Sequence, residues 1–189
     1  MIALRTHRLT RRTMLLHAGL CLAGATTACA DEALFDAEGY RCARYRSVVD
    51  RLPDPARRIA LAEALMLGSQ ALLIDVLPAE GALRDAHSGQ WRLAEAHQSI
   101  PGALWFPETG RAPVDPALWQ PLLRHTARWR QDHPAWPIAV FCRADCWMSW
   151  NAARRLAHAG LPGVFWLAEG IDGWHDAGRA LAELVPEAA

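Results

Sequence analysis

Apolar positions along the chain follow two alternating patterns. Short, continuous apolar runs typical of buried strands occupy residues 71–76, 103–106, 138–141 and 164–167. Between and around them, capping signals and helical spacing of apolar residues predict helices over 58–67, 116–129, 149–159 and 171–177. Strands that alternate with helices predict an α/β protein whose parallel sheet is flanked by helices on both faces.

Start and stop signals define several of these boundaries. Gly68 and Gly160 follow the first and third predicted helices, where glycine is a common C-terminal stop. Asp115 and Pro116 are a suitable N-cap and first residue for the second helix. Residues 78–99 lack a clear period, and the sequence predicts a long irregular stretch there.

A cysteine stands where the third apolar run turns towards a helix. Cys142 directly follows residues 138–141, and Ser149 opens the next predicted helix; the connecting loop is Arg143, Ala144, Asp145, Cys146, Trp147 and Met148. Loop N–H groups and a helix N-terminus at such a position stabilise a thiolate and can hold an anion. Since ligands bind at the carboxyl ends of parallel strands, we expect the reactive site here.

The second loop cysteine, Cys146, gives this site two thiols. A disulfide would form if the two Cα atoms approach to about 4.4–6.8 Å, and one thiol could then attack while the other resolves. A static disulfide that stiffens the loop is the alternative. A metal site with His97, His158 or His175 is disfavoured, because the spacing matches no usual zinc pattern. We expect neither a metal nor a cofactor.

Four segments in this order resemble rhodanese-like domains. They are Leu-Leu-Ile-Asp-Val at 72–76, His-Gln-Ser-Ile-Pro-Gly-Ala at 97–103, the Cys142 loop, and Ala-Glu-Gly-Ile-Asp-Gly-Trp at 168–174 followed by Ala-Gly at 177–178. The resemblance covers roughly residues 60–182 and implies a single rhodanese-like domain, expected over 58–185. It also implies that Cys142 is a nucleophile that takes sulfur from a small sulfur- or thiol-containing substrate and carries it as a persulfide.

Residues 142–153 more narrowly resemble an exported subfamily, the PQQ-dependent catabolism-associated CXXCW-motif proteins. This likeness implies a link to a periplasmic quinoprotein dehydrogenase or cytochrome c. The loop departs from the common pattern Cys-x-x-Gly-x-Arg-Ser, because Asp145 replaces Gly and Trp147 replaces Arg. Asp145 opposes thiolate formation, and Arg143 is the remaining candidate cation. The departure leaves two hypotheses open, a thiol enzyme and a non-catalytic accessory module; the missing arginine disfavours phosphate or arsenate chemistry.

Other polar and aromatic residues have structural as well as functional interpretations. Asp75 ends a strand on the expected active edge, where it either holds neighbouring backbone or orients the loop. His97 is interpreted as structural, and Trp150 as core. Trp147 is expected to be the more exposed tryptophan, and the pair could form a wall for a flat ligand such as a quinone. Glu169 and Asp172 are expected at the acidic rim.

Residues 1–30 have the composition of an export signal. Four arginines and no acidic residue precede an apolar stretch at 14–26, and Ala28-Cys29-Ala30 provides a small-residue cleavage site. The apolar stretch is too short to span a membrane. Arg11 and Arg12 are compatible with a twin-arginine signal, and Cys29 with the alternative of a lipoprotein. The sequence therefore predicts a periplasmic protein.

Charge and cysteine count constrain the mature chain. After removal of residues 1–30 it carries 16 arginines and 20 acidic residues, a net charge of −4 that argues against nucleic-acid binding. Residues 31–57 are predicted to be an extended N-terminal arm that packs on the domain. Cys42 lies in this arm; it is interpreted as a buried free thiol, with a bridge to Cys142 or Cys146 as the alternative.

Overall fold

The computed structural model of the chain describes residues 33–187. In this part of the chain the strands are β1 (Arg57–Ile59), β2 (Leu72–Asp75), β3 (Leu83–Arg84), β4 (Trp91–Arg92), β5 (His97–Ser99), β6 (Leu104–Trp105), β7 (Ile138–Phe141), β8 (Val164–Leu167) and β9 (Ala182–Leu184). The helices are α1 (Leu61–Leu67), α2 (Pro116–Asp132), α3 (Met148–His158) and α4 (Gly170–Asp176). The predicted export signal, residues 1–30, lies outside the described residues.

Five strands form a parallel sheet in the order β1–β8–β7–β2–β6, with β7 in the centre. All four residues of β7 are buried, as expected for a strand covered on both faces. Asp75 at the end of β2 lies beside Phe141 at the end of β7. The carboxyl ends of the two strands therefore bring Asp75 and Cys142 to the same edge of the sheet.

Alternate side chains of the central strands enter two separate cores. Ile138 and Val140 point towards α2 and α3, in a core that contains Leu122, Trp150 and Leu156. Phe141 belongs to the opposite core, which α1 and α4 close with Ala64 and Ile171. The period-two alternation of a strand explains this division, and the predicted α/β architecture with helices on both faces is confirmed.

The strand and helix predictions were wrong in two places. Residues 57–59 are not the start of α1: they pair with 165–167 of β8, which buries Ile59, so the helix begins at Leu61. The stretch 78–99 is not wholly irregular: it contains the β3–β4 hairpin and β5, and β5 pairs with the unpredicted β9. Two-residue strands carry too little pattern to be recognised from sequence.

The segment before the domain lies across α3 and the cysteine loop. Phe35 packs edge-on against Trp150, and the backbone of Arg41 exchanges two hydrogen bonds with the Asn151 side chain, at 2.8 and 2.7 Å. Arg46 forms an isolated antiparallel bridge with Cys146. We call residues 33–52, which lie within the predicted segment 31–57, the arm. Within residues 33–187, no helix has both the length and the apolar character needed to cross a membrane.

Candidate active site

The backbone of Cys142 is held by a close approach of the segment that begins α4. Cys142 follows β7 and is fully buried, and its carbonyl oxygen accepts a 2.9 Å hydrogen bond from the N–H of Ile171. This approach requires glycine at the preceding position, because a Cβ on Gly170 would lie 2.0 Å from the Cys142 oxygen. Gly170 also has a φ of +54°, in the left-handed region that favours glycine.

Some of the groups around the Cys142 sulfur favour its thiolate form, and others favour its protonated form. The hydroxyl oxygen of Ser149 lies 3.0 Å from Sγ, and the Ser149 N–H points to it with N at 3.4 Å. On the other side, the carbonyl oxygens of Cys146 and Arg143 lie 2.9 and 3.6 Å from Sγ and accept from its S–H. The donors stabilise a thiolate, whereas the two carbonyls stabilise the protonated thiol. The hydrogen-bond partners of the sulfur therefore favour opposite protonation states.

Burial decides the resting state of Cys142. Desolvation raises the pKa of the Cys142 thiol, the hydrogen bond to Cys146 raises it further, and the two hydrogen bonds from Ser149 only oppose the rise. The expectation that this position stabilises a thiolate on Cys142 was therefore wrong for the resting structure. The loop N–H groups are present, but the sulfur lies in the core.

Cys146 is the more readily ionised thiol of the pair. The hydrogen bond from the Cys142 thiol lowers the pKa of Cys146, and the backbone N–H groups of Met148 and Arg143 act in the same direction. Burial and the negative charge of Asp145 oppose this shift. Both cysteines are free thiols. The pKa shifts of the two neighbouring thiols therefore have opposite directions, upwards for Cys142 and downwards for Cys146.

The charges of the loop neutralise one another. Arg143 does not reach the sulfur as a lone cation: its Nε lies 3.8 Å from Asp145 Oδ1 and 3.9 Å from Asp172 Oδ1. Asp172 also accepts a 2.8 Å hydrogen bond from the N–H of Ala144. A second arginine, Arg46 of the arm, pairs with Asp145 at 2.7 Å. Two cations therefore balance two carboxylates at the rim of the site.

The arm covers the loop and buries Trp147. The Trp147 indole N–H donates to the carbonyl of Arg44 at 3.0 Å, and its ring meets the Tyr45 ring edge-on. The Tyr45 hydroxyl donates to Glu80 at 3.0 Å. Trp147 is 3% exposed, so the expectation that it would be exposed was wrong. The arm supplies its cover, whereas Trp150 is buried as expected.

Asp75 forms a closed polar cluster at the end of β2. Its carboxylate accepts from the Leu77 N–H at 2.8 Å, from the Ser99 hydroxyl at 2.5 Å and from His97 Nε2 at 2.7 Å. The structural interpretation of His97 is confirmed, since its ring also stacks on Trp105. The described contacts of Asp75 do not include Arg143, so it does not orient the loop through that side chain. Arg143 and His97 also line a surface cavity of about 180 Å³ with Glu80 and Glu95.

Sequence reasoning missed three contacts of the site. Trp166 of β8 donates its indole N–H to the Ser149 hydroxyl at 3.0 Å. Gly110 lies against the start of α3, where a Cβ would be 2.1 Å from the Met148 oxygen. Arg46 comes from the arm. The tryptophan count was an available signal for the first, but no spacing rule links residues 46 or 110 to a loop a hundred or forty residues away.

Glu169 and Asp172 border the loop with different partners. Glu169 pairs with Arg58 at 3.2 Å, whereas Asp172 contacts the loop itself. Among residues 33–187, no group of three or more His, Cys, Asp or Glu side chains is arranged to hold a metal ion. Cys42 is disulfide-bonded, so its interpretation as a free thiol was wrong. Neither Cys142 nor Cys146 is its partner.

The described fold is an α/β fold with a parallel sheet, in which Cys142 follows the central strand and a loop and helix α3 follow Cys142. The family model described as Rhodanese-like domain matches residues 60–177, well over half of the chain. The chain therefore belongs to the rhodanese-like domain family.

Comparisons beyond the family are distant. The crystal structure of a thiosulfate sulfurtransferase from Pseudomonas aeruginosa is similar, with 20% identity and a TM-score of 0.41. That match covers 70% of this chain and 21% of that one. No match was found among curated proteins. The family and the fold, rather than any single relative, are the basis for the function considered next.

Proposed function

We propose that the chain is an exported rhodanese-like thiol protein that transfers sulfur or exchanges disulfides through Cys142 and Cys146. One observation carries the proposal: two free thiols lie in one loop at the carboxyl end of the central strand, with Cys142 Sγ 2.9 Å from the Cys146 carbonyl oxygen. Membership of the rhodanese-like family supports a small sulfur-containing substrate. In this proposal Cys142 is the nucleophile and Cys146 the resolving thiol.

The first step loads sulfur on Cys142. In this step the Cys142 proton passes to the thiolate of Cys146, which ionises more readily than Cys142. The Cys142 thiolate then attacks the outer sulfur of a donor such as thiosulfate, and the S–S bond of the donor breaks. Sulfite leaves with the bonding electron pair, and Cys142 carries a persulfide. Ser149 O–H and N–H, at 3.0 and 3.4 Å from Sγ, stabilise charge on this sulfur.

The second step removes the transferred sulfur from Cys142. An acceptor thiol can take the terminal sulfur, or Cys146 can lose its proton and attack Cys142 Sγ. In the latter case the persulfide bond breaks, hydrosulfide leaves, and a Cys142–Cys146 disulfide remains. A dithiol or two thiols must then supply two electrons to restore the free pair. The lowered pKa of Cys146 favours its role as the attacking thiolate in this step.

The intact mass of the mature protein tests this chemistry. The protein is acid-quenched and alkylated before and after incubation with thiosulfate. We expect a gain of one sulfur atom that is absent from Cys142→Ser and accumulates in Cys146→Ser, because the resolving thiol is then missing. No gain in either the wild type or Cys146→Ser, or a gain that persists in Cys142→Ser, would refute sulfur transfer at this site. A loss of two hydrogens mapped to the pair, without sulfur uptake, would leave disulfide exchange.

Export to the periplasm is part of the proposal. Its support is the arginine-rich, acid-free start of the chain, the following apolar stretch and the Ala28-Cys29-Ala30 segment. Fractionation of cells and N-terminal sequencing of the mature protein test it. Cleavage after Ala30 with retention of the precursor in Arg11→Lys/Arg12→Lys would support a twin-arginine signal. A lipid on Cys29 would indicate a lipoprotein, and an uncleaved cytoplasmic chain would contradict export.

A second candidate function is a non-catalytic accessory role for a quinoprotein dehydrogenase or its cytochrome c. The burial of both thiols favours this alternative, because Cys142 is 0% and Cys146 only 5% exposed, and the arm bridges to Cys146 through Arg46. The likeness of residues 142–153 to the CXXCW-motif subfamily names the partner class. Co-purification with such a dehydrogenase and poor growth of a deletion strain on alcohols are expected. Normal growth, no partner and sulfur uptake would exclude it.

A further inference from the structure

Trp166 contacts the thiol site from the neighbouring strand. It lies beside Val140 in the pairing of β8 with β7, two residues before Cys142, and is 7% exposed. Its indole N–H reaches the Ser149 hydroxyl oxygen at 3.0 Å. Ser149 is itself 1% exposed, so water does not compete for this bond. The contact links a core side chain to the group that touches the Cys142 sulfur.

The chemistry of the two groups fixes the direction of the hydrogen bonds. An indole N–H only donates, whereas a serine hydroxyl has one proton and two acceptor lone pairs. Trp166 therefore occupies a lone pair of Ser149 Oγ, and the hydroxyl proton is left for another partner. Among the described residues, the other hydrogen-bond partner of this oxygen is Cys142 Sγ, at 3.0 Å. The single S–H proton of Cys142 has a nearer acceptor in the Cys146 carbonyl oxygen, at 2.9 Å, so we assign the hydroxyl proton of Ser149 to its contact with the sulfur.

We propose that Trp166 is a positioning residue: its indole N–H holds the Ser149 hydroxyl with the proton directed at Cys142 Sγ, so that this hydroxyl stabilises negative charge on the sulfur. The inference rests on the proposed function, in which that charge develops on the thiolate and persulfide. Without Trp166, the hydroxyl can turn and accept the S–H proton, which stabilises the neutral thiol instead.

The other contacts of the sulfur explain why the direction of the Ser149 hydrogen bond affects the charge on Cys142. The Cys146 carbonyl oxygen, at 2.9 Å, already holds the thiol proton. The hydrogen bonds from Ser149 are the interactions that lower the pKa of Cys142 against its burial. A hydroxyl that switched from donor to acceptor would therefore remove one of the two stabilising interactions of the thiolate.

The test compares Trp166→Phe, Ser149→Ala and the double variant, with Trp105→Phe as the matched control. Trp105 is also a buried strand tryptophan, and its indole N–H donates to the Leu77 carbonyl at 2.8 Å instead of to the site. Alkylation by iodoacetamide is followed from pH 6 to 10. Trypsin cleaves after Arg143, so peptide mass spectrometry measures Cys142 and Cys146 separately.

We expect Trp166→Phe to slow alkylation of Cys142 about three- to tenfold at neutral pH and to move its pH midpoint upwards. Trp105→Phe should stay within about twofold of the wild type, and Trp166→Phe should add nothing to Ser149→Ala, because both act through one hydroxyl. Equal effects of the two tryptophan variants, or additive effects of Trp166→Phe and Ser149→Ala, would overturn the inference.

Two safeguards keep the result decisive. If Trp166→Phe does not fold, β-(3-benzothienyl)alanine at position 166 replaces the indole N–H by sulfur at nearly constant shape. The alkylation profile needs no substrate, so it judges Trp166 even if the wild type takes up no sulfur from thiosulfate. Failure of sulfur uptake refutes the sulfur-transfer part of the proposed function, whereas an unchanged profile in the Trp166 variant refutes the positioning role.

Discussion

Asp75 and Cys142 end neighbouring strands at the same edge of the sheet, and both are fully buried. Their surroundings differ. Asp75 accepts three hydrogen bonds from Leu77, His97 and Ser99, and all three donors suit a carboxylate. Cys142 faces two donors, both from Ser149, and two carbonyl acceptors, which suit opposite protonation states.

On the proposed function, we interpret this difference as that between a structural and a reactive strand end. A fully satisfied buried group keeps one state and rigidifies its surroundings. A sulfur with competing partners can change state when a substrate or a movement of the loop removes one of them. The covers differ as well: the partners of Asp75 come from within the domain, whereas the cover of the cysteine loop is the preceding arm.

The largest expected effect is on stability. Asp75→Ala leaves the N–H of Leu77, the Ser99 hydroxyl and His97 without their buried acceptor. We expect the free energy of unfolding to fall by about 2–4 kcal/mol, because unsatisfied buried donors are costly. Cys142→Ser, a near-isosteric change, should cost about 1 kcal/mol or less. Urea denaturation followed by tryptophan fluorescence measures both.

Asp115→Ala is the control for loss of an aspartate as such. Asp115 caps α2 through one exposed hydrogen bond to the Ala117 N–H, so its removal should cost about 1 kcal/mol. If Asp75→Ala cost no more than Asp115→Ala, or if Cys142→Ser matched Asp75→Ala, the division into a structural and a reactive strand end would be wrong.

A smaller effect is expected from loosening the arm. Tyr45→Ala/Arg46→Ala removes the ion pair with Asp145 and the contacts of Tyr45 with Trp147 and Glu80. An exposed ion pair and an aromatic pair together contribute about 1–2 kcal/mol. We therefore expect alkylation of both Cys142 and Cys146 at pH 8 to accelerate about tenfold, since the arm opens more often.

Arg92→Ala is the control for this variant, because Arg92 is an exposed arginine of the β3–β4 hairpin. It should leave both alkylation rates unchanged. Equal rates in the arm variant and the wild type would mean that the thiols are reached without movement of the arm, and the contrast between the two covers would not hold.

The sequence was informative where one element carries its own pattern. The strands 138–141 and 164–167 and the Asp115 cap were predicted as the structure has them, because apolar runs and capping residues act locally. The position of Cys142 after the central strand followed from the same runs. The rhodanese-like family was also recognised from motifs, and the family match over 60–177 confirms it.

The predictions about individual side chains were wrong where tertiary contacts determine their surroundings. The thiolate of Cys142 was expected from its place before a helix, but burial dominates its pKa, and burial depends on the whole fold. Trp147 was expected to be exposed because it lies in a loop, yet the carbonyl of Arg44, 103 residues earlier, binds its indole. Ser149 was a predicted site residue, whereas its partner Trp166 was hidden within an ordinary apolar strand.

The smallest expected effect concerns the charge beside Cys146. Asp145 raises the pKa of Cys146 against the hydrogen bonds that lower it. Asp145→Asn removes this opposition, so the pKa should fall further and the thiolate should be more populated at pH 7. We expect alkylation of Cys146 at that pH to accelerate about two- to fivefold, less so at high salt, because the side chain is partly exposed and screened.

The same substitution also weakens the ion pair with Arg46, and two observations separate the causes. Opening of the arm accelerates alkylation of both cysteines at every pH, as in Tyr45→Ala/Arg46→Ala, whereas loss of the charge lowers the pH midpoint of Cys146 alone. Asp176→Asn makes the same change in net charge at an exposed residue away from the loop and should have no effect. An unchanged pH midpoint of Cys146 in Asp145→Asn would mean that the charge of Asp145 does not influence the pKa of this thiol. The pKa would then depend on burial and on hydrogen bonds, without a contribution from the neighbouring carboxylate.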